Sequence, residues 1–293
     1  MSHQSLVRGI DHLVIASHDL DQLAAFYRAL GFTVGPRNRH PWGTENHIVQ
    51  FDGAFLELIG IGNRAAIPAA SDGRYSFGAF VQDFIAGGEG LAMLALESGN
   101  AVADAETFRK ARIGAFEPFY FERMGRTADG SETKVSFTLA FAQMEHAPRA
   151  GFFVCQQHQP HAFWNAALQQ HPGGAFAIEN VVLIAEDPSD THEFLGAFTG
   201  QREMRATSYG LDIATSRGGI TVLSALAFEH RYGCAPQRLA GAAAVFAAID
   251  FKVSSLSRQK ALMVERGISF HMVQDRLVIA VEHAYGVALT FSE

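Results

Sequence analysis

The chain has 293 residues, 48% of them hydrophobic and 18% charged, with a formal net charge of −7 at pH 7. That length exceeds one ordinary hydrophobic core and the composition is globular, so two domains are expected and disorder is excluded. The acidic balance offers no basic footprint for nucleic acid or an anionic membrane, and two cysteines, Cys155 and Cys234, without CxxC spacing exclude a disulfide framework.

Residues 1–17 (MSHQSLVRGIDHLVIAS) lack the basic, apolar and small-residue succession of a secretory signal. No apolar run approaches the roughly 18 residues that cross a bilayer, so a cytoplasmic location is expected.

Taken in chain order, four segments share one grammar: strand, capped helix, glycine, then shorter strands. Residues 9–16 (GIDHLVIA) read as the first strand. Ser17 or Asp19 caps a helix whose Leu23, Phe26, Tyr27 and Leu30 fall on one face, and Gly31 stops it. Strands follow near 32–34, 47–51 and 55–59. An insertion over 60–89 carries Phe77, Phe80 and Phe84 at helical spacing, for a packed helix or a lid.

The second unit has a strand at 91–98 (LAMLALES), a helix over 103–113, Gly114 as the stop, and strands at 119–124, 134–141 and 151–156. In the third, residues 177–185 form the strand, Asp187-Pro188 start the helix, Phe194 and Phe198 share its face, and Gly200 ends it. Strands near 203–206, 210–214 and 220–224 follow. The fourth opens at 243–253, with a helix capped by Ser254 or Ser255 and stopped at Gly267, then strands at 269–273, 277–281 and 287–291. Four such units predict an α+β fold of βαβββ modules. Modules one and two form an N-terminal domain over 1–158, residues 159–175 a Pro/Gly-containing linker, and modules three and four a C-terminal domain over 176–293.

The phrase IDHLVIASHDLDQLAAFYRALGF, with GTENHIVQFDGAFLELIGI closing the same unit, resembles glyoxalase-like proteins of the vicinal oxygen chelate superfamily. FGAFVQDFIAGGEGLAMLALES and FFVCQQHQPHAFW add to that resemblance, which covers most of residues 9–185. It implies paired modules whose mixed sheets curl into incomplete barrels around a cleft. In metal-using relatives a divalent ion sits there, held by His or Gln on the first strand and Glu on the last strand of each unit. Such an ion polarises neighbouring substrate oxygens as a Lewis acid.

The resemblance places His12 and Glu57 at the two ligand positions of module one, for Fe, Mn, Ni, Co or Zn. A hydrogen-bonded core histidine and a glutamate on a solvated strand face are the plain structural alternatives. In module two Met93 stands at the first-strand place, and Cys155, or Gln156 if the strand slips by one residue, at the last. Completing ligands are therefore sought among His47, Cys155, Gln156 and His158. His47, Tyr120 and Glu122 join Glu57 as candidates for acid/base or cleft contacts. Asn180, Val222 and Thr290 occupy the corresponding places in modules three and four, so the C-terminal domain is expected to be structural.

Gly60-Ile61-Gly62-Asn63-Arg64-Ala65 fits GxGxxA after a strand, but the IPAASDG that follows is no phosphate-facing helix. No GxxxxGK[ST], HExxH or GxSxG occurs. The expected function is that of a divalent-metal-dependent lyase, isomerase or dioxygenase acting on a small oxygenated organic molecule. The rival reading is a metal-free protein that sequesters a small hydrophobic molecule, as antibiotic-resistance relatives do. A third is extradiol-type ring cleavage, which uses two histidines and one carboxylate, of which the sequence places one each. Self-association as a homodimer is common among proteins with this resemblance.

Overall fold

The structure is a computed structural model describing residues 7–126 and 132–293. Module one comprises β1 (Ile10–Ala16), α1 (Leu20–Ala29), β2 (Asn38–Arg39), β3 (Thr44–Gln50) and β4 (Phe55–Ile61), followed by α2 (Phe77–Ala86). Module two comprises β5 (Gly90–Glu97), α3 (Ala101–Ala111), β6 (Phe119–Arg126), β7 (Glu132–Gln143) and β8 (Gly151–Gln157), followed by the single turn α4 (Pro160–Phe163). Module three contains β9 (Ala175–Ala185), a 3-10 turn, α5 (His192–Thr199), β10 (Arg205–Thr207), β11 (Gly210–Ala214) and β12 (Gly219–Leu223), and α6 (Ala225–Tyr232) follows it. Module four contains β13 (Ala244–Val253), α7 (Leu256–Glu265), β14 (His271–Val273), β15 (Arg276–Ile279) and β16 (Ala288–Ser292).

Two eight-stranded mixed sheets result, ordered β2-β3-β4-β1-β5-β8-β7-β6 and β10-β11-β12-β9-β13-β16-β15-β14. In each, the two modules join through their first strands, antiparallel, while each first strand runs parallel to the last strand of its own module. The expected α+β fold of paired modules is what forms, and the first sheet curls into a half-barrel. β1 is buried along its whole length because both of its faces are covered. Leu13 and Ile15 enter the core outside the barrel, while Val14 and Ala16 face its interior. The outer core is shared by both sheets: the Phe32 ring packs on Phe251 at 5.2 Å and Phe152 on Phe246 at 5.4 Å. No helix among the described residues is long and apolar enough to cross a membrane.

Several local expectations change. Residues 32–34 form no strand, because the Thr33 N–H donates to His171 Nδ1 and its hydroxyl to the Gln170 carbonyl; the outer strand of module one is β2 instead. The segment 159–175 is pinned to module one, with His171 also bonded to the Gln50 carbonyl and Gln169 to that of Phe51. The left-handed end of α3 is Arg112, at φ 59°, and not Gly114. Gly114 is needed for a different reason, since a Cβ there would meet the Phe141 carbonyl at 2.4 Å. The helix α6, unassigned in the sequence, occupies in the second half the place of α2 in the first.

Candidate active site

The first half-barrel encloses a hollow, and β1 supplies its central side chain. The register of β1 against β5 shifts between Ile10 and His12, leaving Asp11 as an extra residue. Such a bulge re-aims a side chain, and here the Asp11 carboxylate turns beside the His12 ring. Asp11 Oδ1 stands 2.5 Å from His12 Nδ1, and Asp11 Oδ2 accepts from Gln157 Nε2 at 2.8 Å. A nitrogen against a carboxylate carries a proton, so Nδ1 is engaged by Asp11 and Nε2 is the ring atom turned toward the hollow. The ring is stacked on Phe55 at 4.2 Å and meets Phe153 edge-on at 5.1 Å, which fixes its plane.

Glu57 comes from β4, opposite Ile48 of β3 and beside Val14 of β1. Its Oε2 lies 3.9 Å from His12 Nε2, and both side chains are buried. Its Oε1 accepts from Asn46 Nδ2 at 2.5 Å and stands 3.8 Å from His40 Nε2. His40 pairs through Nδ1 with Thr44 Oγ1 at 2.8 Å and stacks on Trp42 at 4.5 Å. Asn46 Nδ2 also lies 3.3 Å from His40 Nε2, which makes Nε2 the acceptor. Burial drops the His40 pKa to about 4, despite the opposing pull of Glu57, so the ring is neutral near pH 7.

Two imidazole nitrogens thus flank one carboxylate. Metal–nitrogen and metal–oxygen bonds of about 2.1 Å allow donors on a shared ion to be up to about 4.2 Å apart. The two separations around Glu57 meet that limit. In kind, two imidazole nitrogens and a carboxylate suit a divalent first-row ion, while the ligand atoms that lie within 4.8 Å of one another among the described residues are those of Asp11, His12 and Cys155.

Of the other candidate residues, Cys155 reaches the hollow, with its sulfur within 4.8 Å of ligand atoms of Asp11 and His12. Burial pushes its thiol well up, and Asp11 and Glu57 add to the effect, so it is a protonated thiol. Gln156 faces the other way: its side chain accepts from the Ala101 N–H and donates to the Gly99 carbonyl. Neither expected register is adopted: Phe153 takes the last-strand place, pairing with Ala95 as Glu57 pairs with Val14, and Cys155 lies two residues further along the same face. Met93 is buried among apolar groups and would touch a Cβ at Gly151, a packing role.

His47 is turned away from the hollow, with Nδ1 against the Gly35 carbonyl at 2.8 Å. It alternates with Asn46 and Ile48, which share the face of Glu57, so it cannot face the same way. His158 contacts Thr138 Oγ1 at 2.8 Å on the outer side of β7. Tyr120 and Glu122 are partly exposed and bonded to each other, and Lys134 pairs with Glu122. The inward residues of β6 are Phe119, Phe121 and Arg123. Of these four expected contacts, only Tyr120 and Glu122 reach even the rim of an adjoining groove.

His40, Asp11, Asn46 and Arg123 were not singled out in the sequence. Alternation along β3 would have exchanged His47 for Asn46 had the register with Glu57 been known. Nothing local marks the Asp11 bulge or the His40 turn. Arg123 is largely buried and donates to Asn38 Oδ1 at 3.3 Å; burial lowers its pKa and the charge of Glu57 opposes that.

The hollow has a volume of about 40 Å³, room for an ion and a water or two. It adjoins one groove of about 490 Å³, with which it shares Ile48, Arg123 and Phe163. A second groove, of about 570 Å³, shares Trp42, Phe77 and Phe121 with it. Phe77 of α2 is thus a wall of the hollow.

In the second half, Asn180 takes the place of His12. Thr221 takes that of Glu57, because it pairs with Val182 as Glu57 pairs with Val14. Val222, the residue expected there, points instead into the outer core. Asn180 donates to Thr221 at 3.0 Å, and the nearby carboxylate of Asp250 accepts from Thr290 at 2.7 Å and Tyr232 at 3.1 Å.

Residues 10–199 match the family model described as the glyoxalase-like domain. No curated protein is matched at a significant level. Among solved structures, the chain is similar to a hypothetical protein from Staphylococcus aureus, with a TM-score of 0.68 at 12% identity over 98% of this chain and 99% of that one. It is also similar to a mutant 4-hydroxymandelate synthase from Streptomyces coelicolor, with a TM-score of 0.59 at 9% identity over 98% and 92%. The Mn(II)-bound glyoxalase from Novosphingobium aromaticivorans gives 0.51 at 12% identity over 98% and 82%. At these identities the likeness is one of fold.

Proposed function

Because the chain belongs to the glyoxalase-like domain family, we propose that it is a divalent-metal-dependent enzyme acting on a small oxygenated organic molecule. The observation that supports this reading is a buried hollow in which His12 Nε2 and His40 Nε2 stand 3.9 Å and 3.8 Å from one oxygen each of Glu57, and in which ligand atoms of Asp11, His12 and Cys155 lie within 4.8 Å of one another. His12, Glu57 and His40 would hold the ion, with the Cys155 thiol beside them. The bound ion would act as a Lewis acid on paired substrate oxygens. Asp11 keeps the His12 proton on Nδ1, and Asn46 holds the Glu57 carboxylate in place. The aromatic walls keep bulk water away from the reacting groups.

A narrower reading is favoured by His40, which supplies the second histidine that the sequence did not place. Two histidines and one carboxylate with open positions are the ligand set of non-haem Fe(II) oxygenases. Dioxygenase chemistry is therefore the reaction type this site supports best within the proposal.

The test is elemental analysis of wild type and of a His12→Ala/Glu57→Ala variant after reconstitution with Fe(II), Mn(II), Ni(II) or Zn(II). Near one ion per wild-type chain, lost in the variant, is the expected result. Equal metal content in both sinks the proposal. Loss of the ion from His40→Ala, with dioxygen uptake only in the Fe(II) form, separates the narrower reading from the broader one.

A further inference from the structure

Arg123 carries a charge that the protein itself leaves largely unanswered. Its side chain lines both the hollow and the groove of about 490 Å³ beside it. Its one hydrogen bond among the described residues goes to Asn38 Oδ1, at 3.3 Å, and no carboxylate among them lies within ion-pair distance. A guanidinium has five N–H donors in a rigid fork shaped for a carboxylate, and it keeps its charge even when burial opposes it. A buried cation without a close partner is costly unless something else supplies the acceptors. Arg37 lines the same groove, but Asp21 and Glu45 already engage it. Among the described residues one cation is therefore free to meet a ligand there, which calls for a single negative charge.

The surroundings specify the rest of the molecule. Phe55, Phe121, Phe137 and Phe163 wall the hollow, and Phe163 continues into the groove. In the groove, which has the room for a ring, the flat face of Phe163 beside Ile48, Val135 and Leu168 favours a ring or conjugated system over a flexible chain. Trp42 belongs to the wall of the hollow, and its indole N–H is buried with no acceptor among the described residues.

We infer that the groove beside the hollow takes an aromatic or conjugated monoanion, with its carboxylate on Arg123 and its ring against Phe163, so that Arg123 determines the substrate class. This rests on reading the hollow and its groove as the substrate site. It does not depend on which ion, if any, His12 and Glu57 hold.

The experiment is calorimetric binding of benzoate, of its neutral isostere benzamide and of acetate, to metal-free and Mn(II)-loaded protein. The metal-free arm isolates Arg123 from direct ligation of the ion by a carboxylate. Benzoate is expected to bind at least about tenfold more tightly than benzamide, the scale of hydrogen bonds to a charged group, and more tightly than acetate. Arg123→Met should bring benzoate down to the level of benzamide, and Arg123→Lys should keep part of the preference. Equal affinity for acid and amide, equal affinity for benzoate and acetate, or a preference untouched by Arg123→Met would each overturn the inference. So would absence of benzoate binding at millimolar concentration in both metal states. A protein that retains no metal yet prefers benzoate through Arg123 would sink the metal reading alone. One that holds its ion but shows no such preference would sink this inference alone.

Discussion

The same eight-strand order is built twice in one chain, yet the two interiors are used differently. In the first half, α2 places Phe77 at the edge of a hollow that His12, His40 and Glu57 face. In the second, α6 drives Phe228 and Tyr232 fully inside, and the Tyr232 hydroxyl closes on Asp250. Asp250 is a buried carboxylate whose acceptors are met by Tyr232, Thr290 and, at longer range, Asn180 and Arg231. Glu57 is a buried carboxylate that accepts one amide and turns its other oxygen toward a histidine nitrogen. One acid is fully engaged by the fold, and the other has a single hydrogen-bond donor and faces the hollow. Satisfied polar clusters stabilise, whereas underused ones mark sites of function.

The largest expected effect separates these two acids. Asp250→Ala should cost about 3 kcal/mol of unfolding free energy, because several buried donors lose their acceptor at once. Glu57→Gln in metal-free protein should cost less than about 1 kcal/mol while abolishing metal retention. Denaturant titration of both variants checks this, and equal destabilisation would erase the contrast between the halves.

Asp11→Asn comes next. With the His12 proton no longer fixed on Nδ1 by a carboxylate, metal affinity should fall about 10- to 100-fold. Competition with a chelator measures the fall, and the melting temperature should stay near that of wild type. An unchanged affinity would remove Asp11 from the site.

The acid response should also belong to the first half. Burial lowers the pKa values of both His40 and His171 from 6.5 to about 4. Between those values the unfolded chain binds protons that the folded chain refuses, so stability is lost as pH falls from about 6.5 to about 4. Denaturant titrations of metal-free protein across that window should show the decline, and His171→Gln should flatten it. A slope that persists unchanged would assign the acid response to other groups.

The smallest effect sharpens the boundary of the site. His158→Ala should change stability by no more than about 0.5 kcal/mol and leave metal content intact, since its ring lies on the outer side of β7. Loss of the ion in that variant would redraw the site.

What the residues determined unaided was the repeating architecture. Apolar strands, capped helices and stop glycines are local signals, each set by the neighbours of a residue in sequence. The one misplaced stop, Gly114 for Arg112, arose because glycine also serves close approach between elements, which is a tertiary requirement. His12 and Glu57 were legible from family resemblance, through the motif each sits in. The rest of the site was decided by register and by a bulge. Cross-strand pairing chose Asn46 over His47 and Thr221 over Val222, because a shift of one residue reverses the face a side chain takes, and it put Phe153 at the place where Cys155 or Gln156 was expected. The extra residue at position 11 turned an aspartate toward its neighbouring histidine, and the turn before β3 brought His40 to Glu57 from seventeen residues away. Those contacts join segments distant in sequence, and only the closed half-barrel places them together.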